Sequence, residues 1–114
     1  MKFIDNSHSQ LLGKAMDNYH LRQKVTSTNI ANADNPHYKK HEVLFEDELR
    51  KAQGSEGARG MKQVEPIILE TEQNVVLEDE MLEMADTQIR VQMVTRSIRH
   101  HFELLRNGIT GTNR

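Results

Sequence analysis

The fold class is decided by residues 77–109, LEDEMLEMADTQIRVQMVTRSIRHHFELLRNGI. Apolar residues recur here at spacings that alternate between four and three, as on the packed face of a coiled-coil helix. The pattern predicts a C-terminal helix over 74–110, in which 77–109 is about 50 Å long. Ten positions follow the alternation, and all but two are apolar: Leu77, Met81, Met84, Gln88, Val91, Thr95, Ile98, Phe102, Leu105 and Ile109.

Charge along this segment agrees with a helix. Residues 65–86 carry acidic and no basic side chains, whereas 90–114 carry five arginines and a single acid, Glu103. Acid at the start and base at the end of a helix complement its macrodipole. Asn74 is the predicted N-cap. Three arginines share one flank and are expected to meet acidic residues of a neighbouring subunit, with nucleic acid as the alternative: Arg96, Arg99 and Arg106.

A weaker version of the same pattern predicts an N-terminal helix over 8–35. Ser7 or Ser9 could cap its start. Pro36 excludes helical geometry for the residue before it, so the helix ends at residue 35 or earlier. The alternation runs through seven positions, two of them polar: Leu12, Met16, Tyr19, Gln23, Thr26, Ile30 and Ala33.

Residues 36–73 predict an extended, partly irregular arm between the two helices. A short helix is expected over 46–52, and the three glycines within 53–60 predict a mobile loop. Residues 64–69 are β-prone but contain Pro66, which favours an edge strand over a central one. The whole chain, 1–114, is interpreted as one domain that is dominated by α-structure.

Composition narrows the function classes. The 114 residues contain no cysteine, five aromatic residues and a net charge of −2. A strongly basic nucleic-acid binder is therefore disfavoured, and disulfides and thiol chemistry are excluded. No run approaches the roughly 20 apolar residues of a membrane helix. The first ten residues lack the apolar stretch of a secretory signal peptide, so any export is expected to proceed without a cleaved leader.

No catalytic or metal-binding pattern stands out among the polar residues. His37 and His41 have the spacing of one helix face, but Pro36 precedes them and no HExxH arrangement follows. The acidic cluster from Glu78 to Asp86 is better explained as the solvated start of a helix. The sequence has no nucleophile elbow and no phosphate-binding glycine loop. We therefore expect no enzyme, no metal and no cofactor.

The segment 28–39, TNIANADNPHYK, looks like a helix end with more than a capping role. Asn29 and Asn32 share a face, and their amides can satisfy carbonyls freed at the helix end or on an adjacent helix. Small side chains at Ala31 and Ala33 would allow close approach of a second helix. The motif residues are Asn29, Ile30, Ala31, Asn32, Ala33, Pro36 and Tyr38.

This segment resembles the S-N-I-A-N-A-x-T-P-G-Y signature of flagellar rod and hook proteins. Residues 74–81, NVVLEDEM, are similar to that family's N-x-V-D-L-D-x-E-M, and 102–109, FELLRNGI, resemble its ending. The short length favours the basal-body proteins of the proximal rod over relatives with large inserted domains. The chain departs from the pattern at Asn35, at His37, which replaces a glycine, and at Val76, which replaces an aspartate expected to cap the helix.

The resemblance implies a structural subunit whose terminal helices pair as an antiparallel coiled coil. It implies export by the flagellar type III apparatus and assembly in the basal-body rod, with copies of itself, other rod proteins, the MS ring and the rod-base adaptor. The main alternative is a soluble helical-hairpin adaptor or export chaperone. The expected assembly interface is Leu12, Met16, Tyr19, Ile30, Leu77, Met81, Met84, Val91, Ile98, Phe102, Leu105 and Ile109.

Overall fold

The computed structural model describes residues 2–61 and 63–110, apart from the side chains of 2–7, 56–59, 61, 109 and 110. Helix α1 spans Lys2–Ala31, strand β1 spans Lys39–Leu44 and helix α2 spans Glu46–Met61. Strand β2 spans Ile67–Asn74, and helix α3 spans Leu77–Thr110. The chain is mostly helical, as expected from the sequence, with a small two-stranded sheet between the long helices.

Helices α1 and α3 pack side by side. Asn29 contacts Glu80, Tyr19 lies within hydrogen-bonding reach of Arg90, and the His8 ring lies 5.1 Å from the His101 ring. Because earlier residues of α1 meet later residues of α3, the two helices run in opposite directions. The molecule measures 60 × 33 × 14 Å, so its thinnest dimension is little more than the diameter of one helix, about 10–12 Å.

The arm folds back on itself as a β-hairpin whose connection contains α2. Strands β1 and β2 pair antiparallel, with His41 opposite Glu70 and Leu44 opposite Ile67. The register is irregular between Lys39 and His41. Strand β2 begins immediately after Pro66, where the missing N–H costs no ladder bond. The edge strand expected near residues 64–69 therefore exists, although it starts and ends later.

Two predicted helix boundaries are wrong. Helix α1 begins at Lys2 and not at residue 8, so the proposed Ser7 and Ser9 caps fall inside it. Asn74 is the last residue of β2 and does not cap α3. The backbone C=O of Val76 accepts the N–H of Glu80 at 3.1 Å, which puts Val76 at the N-cap. The Val76 departure therefore falls at a position that favours a capping side chain.

The predicted loop over 53–60 is also wrong in its secondary structure, because α2 continues to Met61. Helical hydrogen bonds are local and form without packing partners. Three acidic residues in the first turn favour this helix: Glu46, Asp47 and Glu48. The Ser55 hydroxyl adds a bond to the C=O of Lys51. Glycine lowers helix propensity by about 1 kcal/mol without forbidding the conformation.

The face of α3 that meets α1 differs from the sequence prediction by one row. The predicted and observed faces share a common row, defined as Met84, Val91, Ile98 and Leu105, which is half-buried. The second row facing α1 contains three polar residues and one valine: Glu80, Thr87, Val94 and His101. In the predicted outer row, Met81, Gln88 and Phe102 are exposed and Thr95 is half-buried. The observed face is thus rotated by about 50° around the helix.

Little apolar surface is buried within the molecule. Among the side chains that the structure describes, Phe45 is the one apolar side chain that is fully buried. Within the same described part of the chain, no helix is both long and apolar enough to cross a membrane. The protein therefore has a small intramolecular core.

Candidate functional site: a polar junction and an exposed apolar face

Asn29 links the end of α1 to strand β1. Its Nδ2 donates to the C=O of His41 at 2.9 Å, and its Oδ1 accepts from the N–H of the same residue at 3.1 Å. A side-chain amide that bonds both backbone groups of one residue acts as a short piece of neighbouring strand. Asn29 is 1% exposed, so these bonds are shielded from water.

Glu80 brings α3 into the same junction. Its carboxylate accepts a hydrogen bond from Asn29 Nδ2, and its other oxygen lies 3.6 Å from Lys40 Nζ. The residue is 1% exposed and lies in the first turn of α3, where the helix dipole favours negative charge. A buried carboxylate needs both a hydrogen bond and a cation, and this junction supplies them from two other elements.

The turn between α1 and β1 is held by asparagine side chains. Asn32 Nδ2 donates to the C=O of Thr28 at 2.8 Å, which satisfies a carbonyl at the helix end as the sequence predicts. Asn35 Oδ1 accepts from the N–H of His37 at 3.0 Å, and the C=O of Asn35 accepts from Tyr38 N–H. Asn35 and His37, which depart from the family signature, are therefore joined to each other by one hydrogen bond of this turn.

The ring of Tyr38 covers one side of the junction. It lies 5.2 Å from the His41 ring, and His41 Nε2 lies 3.6 Å from a carboxylate oxygen of Glu70. Burial raises the pKa of the Tyr38 hydroxyl above its ordinary value of 10.0, and the negative charges of Glu70 and Glu80 raise it further. The neutral form of Tyr38 is therefore favoured in the folded protein.

A second link from α1 to the arm runs through Arg22. Its guanidinium pairs with the carboxylate of Glu46, and Nη2 donates to the C=O of Val43 at 3.3 Å. The same group lies 5.8 Å from the centre of the Tyr19 ring. Arg22 thus ties α1 to β1 and to the first residue of α2.

The interface between α1 and α3 is unusually polar. Asn18 is fully buried and Thr87 is 1% exposed, yet their side-chain polar atoms have no hydrogen-bond partner among the described residues. Near the other end, His101 packs against His8. Unsatisfied buried polar groups cost about 1–3 kcal/mol each, so this pairing is weaker than its length implies.

The exposed apolar side chains on the part of α3 that α1 leaves uncovered form what we call the outer apolar face, which winds around the helix because Met93 and Phe102, nine residues apart, point in opposite directions. It comprises Leu77, Met81, Leu82, Ile89, Met93 and Phe102, which are 42–69% exposed. Beside Phe102 an open hollow of about 660 Å³ is lined by Arg99, Glu103, Leu105 and Arg106. Such a run of exposed apolar side chains on one helix is typical of a protein–protein contact surface.

The predicted site residues divide between these two regions. Asn29 and Tyr38 belong to the junction, and Asn32 holds the turn beside it. Pro36 is exposed at the tip of this turn, and Ile30, Ala31 and Ala33 make no polar contact beyond the turn's backbone bonds. Of the predicted interface residues, three lie on the outer apolar face. Eight are half-buried: Leu12, Met16, Tyr19, Ile30, Met84, Val91, Ile98 and Leu105. The Ile109 side chain lies outside the described residues.

Sequence reasoning missed four members of the junction and its arm link. From the sequence, Glu80 is one of the solvated acids at the start of the helix. The sequence predicts no bonding partner for Lys40, His41 or Arg22. The sequence does contain a signal for Glu80. Glu80 lies four residues before Met84, so it falls on the same side of the helix as the common row. Acidic residues at such positions are normally avoided in a helix interface unless they are paired.

The junction joins α1, β1 and α3 through side-chain contacts. Its side chains bond to one another across three elements, although Glu80 Oε2 and Arg22 Nε have no hydrogen-bond partner among the described residues. No group of three or more acidic or histidine side chains in the described part of the chain could hold a metal ion. Its role is to fix the arm against the helix pair.

No protein-family model matches this chain, and no solved structure matches it. A partial relative is found among curated proteins. Over 49 residues, the chain is 47% identical to the flagellar basal body rod protein FlgB of Borreliella burgdorferi. The match covers 43% of this chain and spans about a third of the length of that relative. The chain is thus similar in part to a flagellar rod protein.

Proposed function

We propose that this chain is a structural subunit of the proximal rod of the bacterial flagellar basal body. In this role it polymerises through its terminal helices, which pair as an antiparallel coiled coil, and helps to form the base of the drive shaft. It is exported by the flagellar type III apparatus and is not an enzyme. The partial similarity to FlgB supports the proposal, as do the rod-like motifs at both ends of the chain.

The observation that carries the proposal is the outer apolar face of α3. Met81 and Phe102 are each 59% exposed and Leu82 is 69% exposed, although a lone protein gains stability by burying such side chains. Contact with neighbouring subunits would remove this surface from water. Head-to-tail contacts that do not close generate a helical tube, the form required of a rod.

The partners of this assembly are copies of the chain, other rod proteins, the MS ring and the rod-base adaptor. The arginines on the C-terminal half of α3 provide charge complementarity. Arg99 and Arg106 line the hollow beside Phe102, and the first turn of α3 carries Glu78, Asp79 and Glu80. A stagger of one subunit along the next would bring the acidic half of one α3 to the basic half of another.

Substitution of Phe102 tests the proposal. Phe102→Asp introduces a charge into the outer apolar face at a residue that is 59% exposed, so we expect normal expression without rod incorporation or swimming. Ser97→Asp is the matched control, because Ser97 is exposed on the same helix outside the outer apolar face. Ile98→Asp is expected to abolish assembly too, but Ile98 lies on the common row against α1, so its loss of function would combine folding and assembly.

The readouts are swimming in soft agar and immunogold labelling of isolated basal bodies. Label at the rod base in the Ser97→Asp strain, and its absence in the Phe102→Asp strain, is the expected result. Full motility of a Phe102→Asp strain would contradict the assembly role. Label that stays with soluble protein in both strains would favour the adaptor or chaperone alternative.

A further inference from the structure

The two outer edges of the β-hairpin differ. The edge of β1 is covered by α1: Asn29 bonds both backbone groups of His41, and Arg22 donates to the C=O of Val43. The edge of β2 has no comparable cover among the described residues. Three consecutive apolar residues lie along it, Ile67, Ile68 and Leu69, at 45–50% exposure.

The bonds to α1 also determine which backbone groups of β2 are free. Because His41 and Val43 turn their backbone groups toward α1, their pairs with Glu70 and Ile68 are the non-hydrogen-bonded pairs of the ladder. Ile68 and Glu70 therefore direct their N–H and C=O groups away from β1, toward the open edge. An exposed edge with free backbone groups and apolar side chains is a template for another strand.

We propose that β2 of a second copy of this chain occupies this edge, antiparallel to the first and with Leu69 of each copy opposite Leu69 of the other. In this register Ile68 of each copy pairs with Glu70 of the other. All outward backbone groups of both residues are then bonded. The result is a continuous four-stranded sheet across a two-fold axis.

Neighbouring registers are worse. A slip in one direction places Glu70 opposite Glu70 of the second copy, which sets like charges against each other. A slip in the other direction places Glu70 opposite Pro66, which has no N–H to donate. In the proposed register Glu70 faces apolar Ile68, and its carboxylate stays 3.6 Å from His41 of its own copy. The edge is therefore self-complementary in one register.

This contact goes beyond the proposed rod function and does not depend on it. A two-fold contact closes on itself, whereas a rod grows by contacts that do not close. The strand contact also uses none of the outer apolar face of α3. It describes how two free subunits associate, so that Phe102→Asp leaves this dimer intact while it removes rod assembly.

Single-cysteine variants can test the register of the two β2 strands, because the chain has no cysteine of its own. In the proposed dimer the two Leu69 positions form a non-hydrogen-bonded pair with Cα atoms about 4.5 Å apart, within the range of a disulfide. The two Ile68 positions and the two Glu70 positions lie on diagonals of about 7–8 Å. Full-length Leu69→Cys should therefore form a disulfide-linked dimer at least about tenfold faster than Ile68→Cys or Glu70→Cys.

Val43→Cys serves as the control on the covered edge, and sedimentation velocity of the cysteine-free protein measures the dimer without cross-linking. Ile68→Pro removes one outward N–H but no bond to β1, so it should abolish the dimer with an unchanged circular dichroism spectrum. The proposal is overturned if Leu69→Cys cross-links no faster than Val43→Cys. It is also overturned if Ile68→Cys or Glu70→Cys cross-links fastest, or if the wild type stays monomeric across a dilution series.

Discussion

Asn29 of α1 donates a hydrogen bond to the buried carboxylate of Glu80 in α3, although 51 residues separate the two along the chain. The same amide bonds both the N–H and the C=O of His41 in β1. One side chain therefore connects the three elements that meet at the end of the helix pair. The first asparagine of the TNIAN segment has a tertiary role in addition to the helix-end role that its sequence indicates.

Replacing Asn29 by alanine is expected to destabilise the fold by about 2–4 kcal/mol, because it leaves one oxygen of the buried Glu80 carboxylate and two backbone groups of His41 without a hydrogen-bond partner. Urea unfolding followed by circular dichroism measures this change. Asn32→Ala is the matched control, since Asn32 makes one local bond to Thr28, and we expect a loss of about 0.5–1.5 kcal/mol. Equal losses for the two variants would show that Asn29 has no role across elements.

Replacing Asn18 by leucine should stabilise the protein by about 1–2 kcal/mol. Asn18 is fully buried between α1 and α3, and its amide has no hydrogen-bond partner among the described residues. Leucine has the same branched shape as asparagine, so this substitution removes the desolvation cost of the amide and raises helix propensity. The midpoint of thermal unfolding gives the result. A lower midpoint would mean that the amide is satisfied in solution.

Restoring a capping side chain at Val76 should stabilise α3. Val76 occupies the N-cap, where asparagine or aspartate accepts a backbone N–H from the first turn, and the expected gain is about 0.5–2 kcal/mol. Val76→Asn tests the cap without added charge, and Val76→Asp adds a carboxylate beside Glu78 and Asp79. If capping dominates, both variants unfold at higher urea than Val76→Ala. No gain for Val76→Asn would exclude this account.

Tyr38 predicts a pH dependence of stability in the alkaline range. Because burial raises its pKa in the folded protein, the folded state holds its proton where the unfolded chain has lost it. The free energy of unfolding should therefore fall as the pH rises above about 10, by linkage. Tyr38→Phe should reduce the slope of this fall, measured by urea unfolding at several pH values. Identical slopes for the two proteins would contradict the shift.

The prediction of the long helices succeeded because their hydrophobic spacing and charge asymmetry extend over many turns. The prediction of which face of α3 packs against α1 is half right. The common row belongs to two overlapping heptad patterns, one completed by Met81 and Phe102 and the other by Glu80 and His101. Residue spacing cannot decide between these two patterns, and the hydrophobicity of Met81 and Phe102 favours the first. The second is selected by tertiary bonds of Glu80 to Asn29 and Lys40, which have no local signature.

The arm shows the same limit. The proline before β2 correctly indicates an edge strand, because proline lacks a backbone N–H whatever its tertiary surroundings. The glycines of 53–60 indicated a loop, since glycine lowers helix propensity, but the structure places them in α2. The register of the hairpin depends on Asn29 and Arg22 of a distant helix, which no inspection of residues 39–74 reveals.

A body only 14 Å thick has a consequence for its heat capacity. The heat capacity change of unfolding follows the apolar area exposed, and a layer one helix deep has little of it to expose. The stability curve of the free subunit should therefore be shallow, with a small enthalpy of melting and a broad transition. When a partner covers the exposed apolar side chains of α3, most of the apolar surface is buried in that step. The large negative heat capacity change should therefore accompany association and not the folding of the free subunit.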